Sequence, residues 1–205
     1  MYKIFFLFFY FAGCGTADHT VQAINDKLNK SSFMLMASSD SGDGNEIGDF
    51  LGFEDCGYVP GEYACNFSLL NNINEEVNLY DYYGKTIILD FSTAWCYWCQ
   101  QAAYNVPTIL NTFEDEEFVY ITLLVENWGG KAPYDSDLFD WGTHFENTLP
   151  VLAAPKNVMI DMDSFTGYAI TGWPSFVFIN KDMEITFYLS GYNQTLINEK
   201  ISEAL

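Results

Sequence analysis

DFSTAWCYWCQQ, residues 90–101, holds Cys96 and Cys99, each preceded by a tryptophan and separated by Tyr97 and Trp98. Upstream, KTIILDFS (85–92) is a continuous run of branched apolar residues, the pattern of a strand buried on both faces. Downstream, residues 97–113 read as a helix that carries Pro107 inside it. The two cysteines therefore fall where a central strand hands over to a helix. Amides at a helix N-terminus point outward and carry partial positive charge. A thiolate placed there is stabilised and becomes the attacking species at neutral pH. Cys96 lies at that mouth and is the expected nucleophile. Cys99, three residues on, lies one turn below on the same face and can resolve a mixed disulfide by attacking the Cys96 sulfur.

Two other readings of the pair are weaker. A zinc site needs further ligands, but His19 and His144 stand apart and the eight residues between Cys56 and Cys65 do not suit a zinc ribbon. No metal site is expected. A structural bridge across two residues closes almost no loop and adds little stability.

Working outward, FSLLNNINEEVNLYDYYGK (67–85) gives two short apolar stretches around NNINEE, a plausible hairpin. EFVYITLLVE (117–126) is a second buried strand, and DSDLFDWGTHFE (135–146) an amphipathic helix capped by Asp135 or Ser136. LPVLA (149–153) is a short strand, and DMDSFTGYAIT (161–171) reads as helical. SFVFIN and EITFYLSG form a hairpin turning at Lys181-Asp182, and the chain closes on a helix with Asn193 as cap and Leu196, Ile197 and Ile201 as its apolar face. Strand–helix–strand alternation followed by a hairpin and a helix predicts an α/β sandwich around a mixed central sheet flanked by helices, with an N-terminal hairpin extension.

The 205 residues are 49% hydrophobic and 18% aromatic, enough for one sizeable core. Eight lysines, no arginine and 28 acidic residues give a net charge of −20. Such a surface repels phosphate backbones and anionic headgroups, which excludes nucleic acid as an expected partner and membrane attachment through charge. MYKIFFLFFYFAGCGTA (1–17) places Lys3 before an apolar run and then small residues. The run is far short of the roughly 20 residues of a spanning helix and reads as an export signal over 1–13. FAGC (11–14) resembles a bacterial lipobox, which would make Cys14 the lipid attachment point. The alternatives are a secretory signal cut after Ala17 or a buried strand. Residues 14–53 read as a tether, since SSDSGDGNEIGD is rich in serine, glycine and acid. Asp40, Asp43, Asn45 and Glu46 do not match the spacing of a calcium loop. The globular domain is expected over 54–205. With Cys14 lipidated, four cysteines remain in an oxidising compartment. Cys56 and Cys65 bracket the Pro60-Gly61 turn, and a structural disulfide is expected between them, the alternative being two separate buried thiols.

LDFSTAWCYWCQ (89–100) resembles the active-site segment of thioredoxin-fold proteins. The span from FSLLNN to CYWC is similar to the extracytoplasmic TlpA/ResA-like thiol–disulfide oxidoreductases, some of which are lipoproteins. ITGWPSFVFINKDMEI (170–185) continues the likeness, which covers about residues 57–205. The resemblance implies a thioredoxin-like three-layer sandwich. It implies that Cys96 and Cys99 are the redox pair, with no cofactor beyond that disulfide, and that Trp95 flanks the site. Pro174 matches the family's cis-proline, beside which backbone is free to pair with an extended substrate. Tyr97, Trp98 and Trp173 would shape the surface met by that substrate. Asp90, six residues before Cys96, stands where thioredoxin has its buried carboxylate and would accept the Cys99 proton, the alternative being a strand-end residue at the surface. Implied partners are cysteine-containing exported proteins, apocytochrome c among them, and a membrane thiol electron donor.

The chain departs from the family in several places. Tyr97-Trp98 replaces the usual pair ending in proline, Ala102 stands where many members carry glutamate, and Tyr104 stands where the helix-kinking proline falls, with Pro107 a turn later. Trp173 is larger than the usual residue before the proline. Two rival functions follow from the same residues. Thr93-x-x-Cys96 fits a peroxiredoxin nucleophile, but that chemistry uses an arginine and the chain has none. A binding module using Tyr97, Trp98 and Trp173 as an apolar patch would not need two cysteines, Asp90 and Pro174 together.

Overall fold

The computed structural model describes residues 56–146 and 150–205. The signal segment 1–13, Cys14, the tether 14–53 with His19, and Asp40, Asp43, Asn45 and Glu46 lie outside the described residues. No described helix is long and apolar enough to cross a membrane.

A five-stranded mixed sheet forms the centre. Strands β5 (Thr86–Thr93), β6 (Phe118–Glu126) and β7 (Val151–Ala153) run parallel, while β8 (Ser175–Ile179) lies antiparallel to β5 and β9 (Ile185–Ser190) antiparallel to β8. The spatial order is β7-β6-β5-β8-β9, so β5 sits in the middle with neighbours on both edges. All eight residues of β5 are buried, as its unbroken apolar run predicts. Successive side chains alternate between faces. Ile87, Leu89 and Phe91 pack on one side, and Ile88 on the other.

The two faces have different covers. Helix α1 (Tyr97–Thr112) and the closing helix α4 (Gln194–Ala204) cover the Ile88 face through Ala102, Val106, Ile109, Ile197 and Ile201. Helix α2 (Asp135–His144) packs beside α1 through Leu138 and Trp141. The opposite face is covered by the N-terminal hairpin, β3 (Ser68–Leu70) with β4 (Glu76–Asn78), by the turn after it, and by Met159, Tyr168 and Ile170. These three layers are a thioredoxin-like α/β sandwich. Pro107 lies inside α1 as expected, and Asn193 caps α4 by accepting the Leu196 N–H at 3.1 Å.

Two local readings need correction. Residues 161–171 are not helical; a four-residue helix, α3 (Lys156–Met159), precedes them instead. The Asp161 carboxylate accepts the N–H groups of Asp163, Phe165 and Thr166 and the Thr166 hydroxyl, which ties the chain into turns. Gly167 then passes so close to the preceding turn that a Cβ there would lie 2.8 Å from the Met159 carbonyl oxygen. The second correction concerns α2, whose N-cap is Tyr134 rather than Asp135 or Ser136. Asp137 reaches back to accept the Tyr134 N–H at 2.8 Å, so the acid in the first turn does the capping.

Strands β1 (Cys56–Gly57) and β2 (Tyr63–Ala64) enclose a loop closed by a Cys56–Cys65 disulfide, Cα–Cα 4.8 Å. This loop docks along the β8–β9 hairpin: Gly61 N–H donates to the Ile185 carbonyl, Ile185 N–H to Glu62, and Ala64 N–H to Met183, each at 2.8 Å. The bridge spans nine residues of sequence. Replacing Cys56 and Cys65 together by alanine is expected to destabilise the domain by about 2–3 kcal/mol through the freed chain entropy, read as a lower midpoint in urea.

Candidate active site

The site forms where β5 ends and α1 begins. Cys96 is the N-cap of α1, and its Sγ accepts the Cys99 N–H at 3.3 Å. The approach to it is held by backbone: Cys96 N–H donates to the Thr93 carbonyl at 3.2 Å, and the Gln100 side chain donates to the Ala94 carbonyl at 2.9 Å. A sulfur in this position takes up one of the otherwise unpaired amides of the first turn. Both thiols are free in this state. Cys96 retains 8% of its surface and Cys99 none, so of the two only Cys96 meets an incoming disulfide.

Asp90 is fully buried, not at the strand surface. It shares the face of β5 that α1 covers. Ser92 Oγ donates to its Oδ1 at 2.6 Å and Tyr120 Oη to its Oδ2 at 2.9 Å. Burial raises the Asp90 carboxyl from 3.8 to about 7, against the lowering effect of these two hydroxyls. Burial likewise pushes the Cys99 thiol well up, and its contact with Cys96 and the Asp90 charge act in the same direction. A thiol that resists ionisation thus lies in the field of a carboxyl whose titration is centred near neutrality. That pairing suits proton exchange between them.

The rim is aromatic. Trp95, Tyr97 and Trp98 are about half exposed, and the rings of Tyr97 and Trp98 meet edge-on at 5.1 Å. Trp173 is partly buried against the cluster that holds both cysteines, and the Trp173-Pro174 peptide bond is cis. Trp95 Nε1 donates to Glu126 at 2.9 Å; Glu126 pairs with Lys156 at 3.3 Å; and the Lys156 ammonium lies 5.9 Å from the centroid of the Trp173 ring. A chain of contacts therefore links the residue before Cys96 to the residue before Pro174. Beside it opens a cavity of about 770 Å³, lined by Val125, Glu126, Pro155, Lys156, Ile160 and Ile170.

The structure thus brings together Asp90, Trp95, Cys96, Tyr97, Trp98, Cys99, Trp173 and Pro174, while Cys56 and Cys65 lie apart in their own disulfide. His144 is on α2, hydrogen-bonded to Tyr104 at 3.1 Å, and no cluster of three metal-ligating side chains exists among the described residues. Sequence reasoning missed Ser92, Tyr120, Glu126 and Lys156. Ser92 carried a signal, because two residues along a strand return to the same face. Tyr120 carried none without the register, which sets Asp90 beside Thr122 and hence Tyr120 on the adjoining diagonal.

Several solved structures share this fold. The thioredoxin domain of a thiol–disulfide oxidoreductase from Bacteroides vulgatus is 18% identical, with a TM-score of 0.59, covering 72% of this chain and 99% of that one. A thiol:disulfide interchange protein of the thioredoxin family from Chlorobium tepidum is 15% identical at TM-score 0.57, over 80% and 99%. The exposed lipoprotein thioredoxin of Streptococcus pneumoniae is 21% identical at TM-score 0.52, over 68% and 99%. At such identities the likeness establishes the thioredoxin fold. Among proteins of curated function, none matches the sequence. The AhpC/TSA family model matches residues 60–188, a stretch that begins inside the disulfide loop, runs through the dithiol and ends in β9; spanning more than half of the sequence, it makes the chain a member of the AhpC/TSA family.

Proposed function

We propose that the chain is an extracytoplasmic thiol–disulfide oxidoreductase that exchanges a Cys96–Cys99 disulfide with cysteines of exported proteins. The observation that carries this reading is the free dithiol on the first turn of α1 with a buried carboxyl set against its inner member. In the reducing direction, the Cys96 thiolate attacks one sulfur of a substrate disulfide. A Cys96–substrate disulfide forms and the other substrate sulfur leaves as a thiolate, which takes a proton from water. Cys99 then gives its proton to the Asp90 carboxylate and attacks Cys96 Sγ. The protein disulfide forms, the substrate's second thiolate departs, and two electrons have passed from the protein dithiol to the substrate. Asp90 later releases its proton to solvent. No bound cofactor enters this scheme.

The substrate strand would lie along the backbone before Pro174, its side chains meeting Tyr97, Trp98 and Trp173 and the adjoining cavity. Three exposed aromatics, Trp95, Tyr97 and Trp98, and the partly buried Trp173 surround one nucleophile, an apolar rim of the kind that marks an interaction surface. An oxidising compartment is supported by the Cys56–Cys65 bridge and by the description of the pneumococcal neighbour as an exposed lipoprotein. Lipid attachment through Cys14, and a membrane thiol donor to recharge the dithiol, complete the proposal. The reducing direction is favoured slightly.

A redox titration of the full chain tests it, with Trp95 and Trp98 beside the dithiol as fluorescent reporters. A two-electron midpoint near the roughly −270 mV of thioredoxin means a reductase; one near the roughly −120 mV of DsbA means an oxidase. Absence of any reversible transition would sink the redox reading and leave the aromatic rim as a binding surface. A peroxidase is the second reading. It rests on Thr93, three residues before Cys96, whose buried Oγ1 has no hydrogen-bond partner among the described residues, and it lacks an arginine to polarise the peroxide.

A further inference from the structure

Buried carboxylates are ordinarily held in one of two ways. A cationic partner keeps the group ionised and a poor base, while complete isolation keeps it protonated across the neutral range. Asp90 has neither arrangement. Each of its oxygens receives one neutral hydroxyl, Ser92 Oγ on Oδ1 at 2.6 Å and Tyr120 Oη on Oδ2 at 2.9 Å. Both donors are themselves inaccessible to water. Hydroxyl donors favour the charged form less than a guanidinium or ammonium does. They offset part of the burial and leave a carboxyl that still accepts a proton near neutral pH.

We propose that Tyr120 and Ser92 are positioning residues that hold the Asp90 carboxylate ready to take the Cys99 proton. The proposal rests on the role given above to Asp90. The groups around this carboxylate are few. From β5 comes Ser92, from β6 Tyr120, and from α1 Cys99 and, beyond it, Cys96. Tyr192, in the loop before α4, acts on Tyr120. On β8 the residues of that face are Phe176 and Phe178, and α4 presents Ile197 and Ile201, none of which titrates. Ala102 on α1 adds no second carboxylate. The behaviour of Asp90 is therefore set by two hydroxyls on adjacent strands.

A purely structural role would have Asp90 merely satisfy the Tyr120 phenol, and the two roles separate in a pH profile. In the Cys14→Ser background, one equivalent of Ellman's reagent reacts with Cys96 and releases one thionitrobenzoate. Cys99 then attacks the mixed disulfide and releases the second, so the second phase reads the resolving step alone. In the otherwise unaltered protein its rate should rise through a midpoint near 7, following Asp90. Tyr120→Phe removes a donor from the charged form, so the carboxyl titrates higher. The midpoint should move up by about one pH unit, with the rate restored at alkaline pH. Ser92→Ala, a smaller change, should move it in the same direction. A rate lowered equally at every pH, or a midpoint that stays in place in both variants, overturns the proposal. Asp90→Asn separates the two levels. If it abolishes the midpoint while Tyr120→Phe and Ser92→Ala do not shift it, the positioning role alone fails. If it leaves the profile untouched, the role of Asp90 fails and the proposal with it.

Discussion

Cys96→Ala is expected to reduce disulfide exchange to the uncatalysed background, whereas Cys99→Ala should stop turnover and accumulate a covalent Cys96–substrate complex. The asymmetry follows from position. Cys96 caps α1, its sulfur accepting the Cys99 N–H, and it keeps the only accessible surface of the pair. Cys99 is sealed beneath it, and burial, Cys96 and Asp90 all hold its thiol in the protonated form. With Cys96 gone, Cys99 can neither reach nor attack a protein disulfide. With Cys99 gone, the first attack proceeds within a few-fold of the unaltered rate, but no group remains to displace the substrate. Non-reducing electrophoresis and mass spectrometry of the Cys99→Ala protein mixed with a disulfide substrate would reveal a thiol-sensitive adduct on Cys96. Equal loss of the first half-reaction in both variants would contradict the assignment of nucleophile and resolver. A Cys96→Ala protein that still forms adducts would reverse it.

The parts of the fold visible in the sequence are those governed by local pattern. β5 announces itself because a strand buried on both faces has no polar alternation to confuse with a helix, and Asp90 is the one ionisable residue within it. The dithiol's place at a strand–helix junction follows directly, as does the β8–β9 hairpin around Lys181-Asp182. Residues 161–171 failed for the opposite reason. Their apolar spacing suits a helix, but Asp161 gathers three backbone N–H groups and Gly167 must pass the Met159 carbonyl, and neither constraint has a periodicity. The α2 cap falls on Tyr134, ahead of both Asp135 and Ser136, because Asp137 works from inside the helix rather than ahead of it. At the site, the residues carried by one contiguous segment were legible. Tyr120 and Glu126 were not, since each reaches the site only through the β5–β6 register. Lys156 meets Trp173 only once α3 has folded.

Asp90→Asn should make the protein more stable above neutral pH and less stable by about 1 kcal/mol at pH 4, where only the disturbed hydrogen bonds count. In the unfolded chain this carboxyl titrates near 3.8, and in the folded protein near 7. Between those values the folded state holds a proton that the unfolded state has lost. The contribution of Asp90 to stability is therefore greatest below about pH 4, falls as pH rises through the folded value, and levels off once both states are ionised. A displacement of this size corresponds to roughly 4 kcal/mol, on the order of a third or more of a typical domain's stability. Asparagine cannot ionise, so the descending limb should disappear. One of the two hydroxyls from Ser92 and Tyr120 loses a carboxylate oxygen and must turn toward the remaining carbonyl oxygen, at a cost of about 1 kcal/mol. The expected net gain at pH 8 is thus about 3 kcal/mol, read from urea midpoints across pH 4 to 9. Curves that run parallel at every pH would mean that the Asp90 charge is not paid for in the folded state. A gain confined to alkaline pH, together with loss of the resolving step's midpoint, would tie the same buried charge to both the instability and the chemistry. The domain then tolerates Asp90 because a carboxyl that is costly to ionise is also one basic enough to take a proton from Cys99.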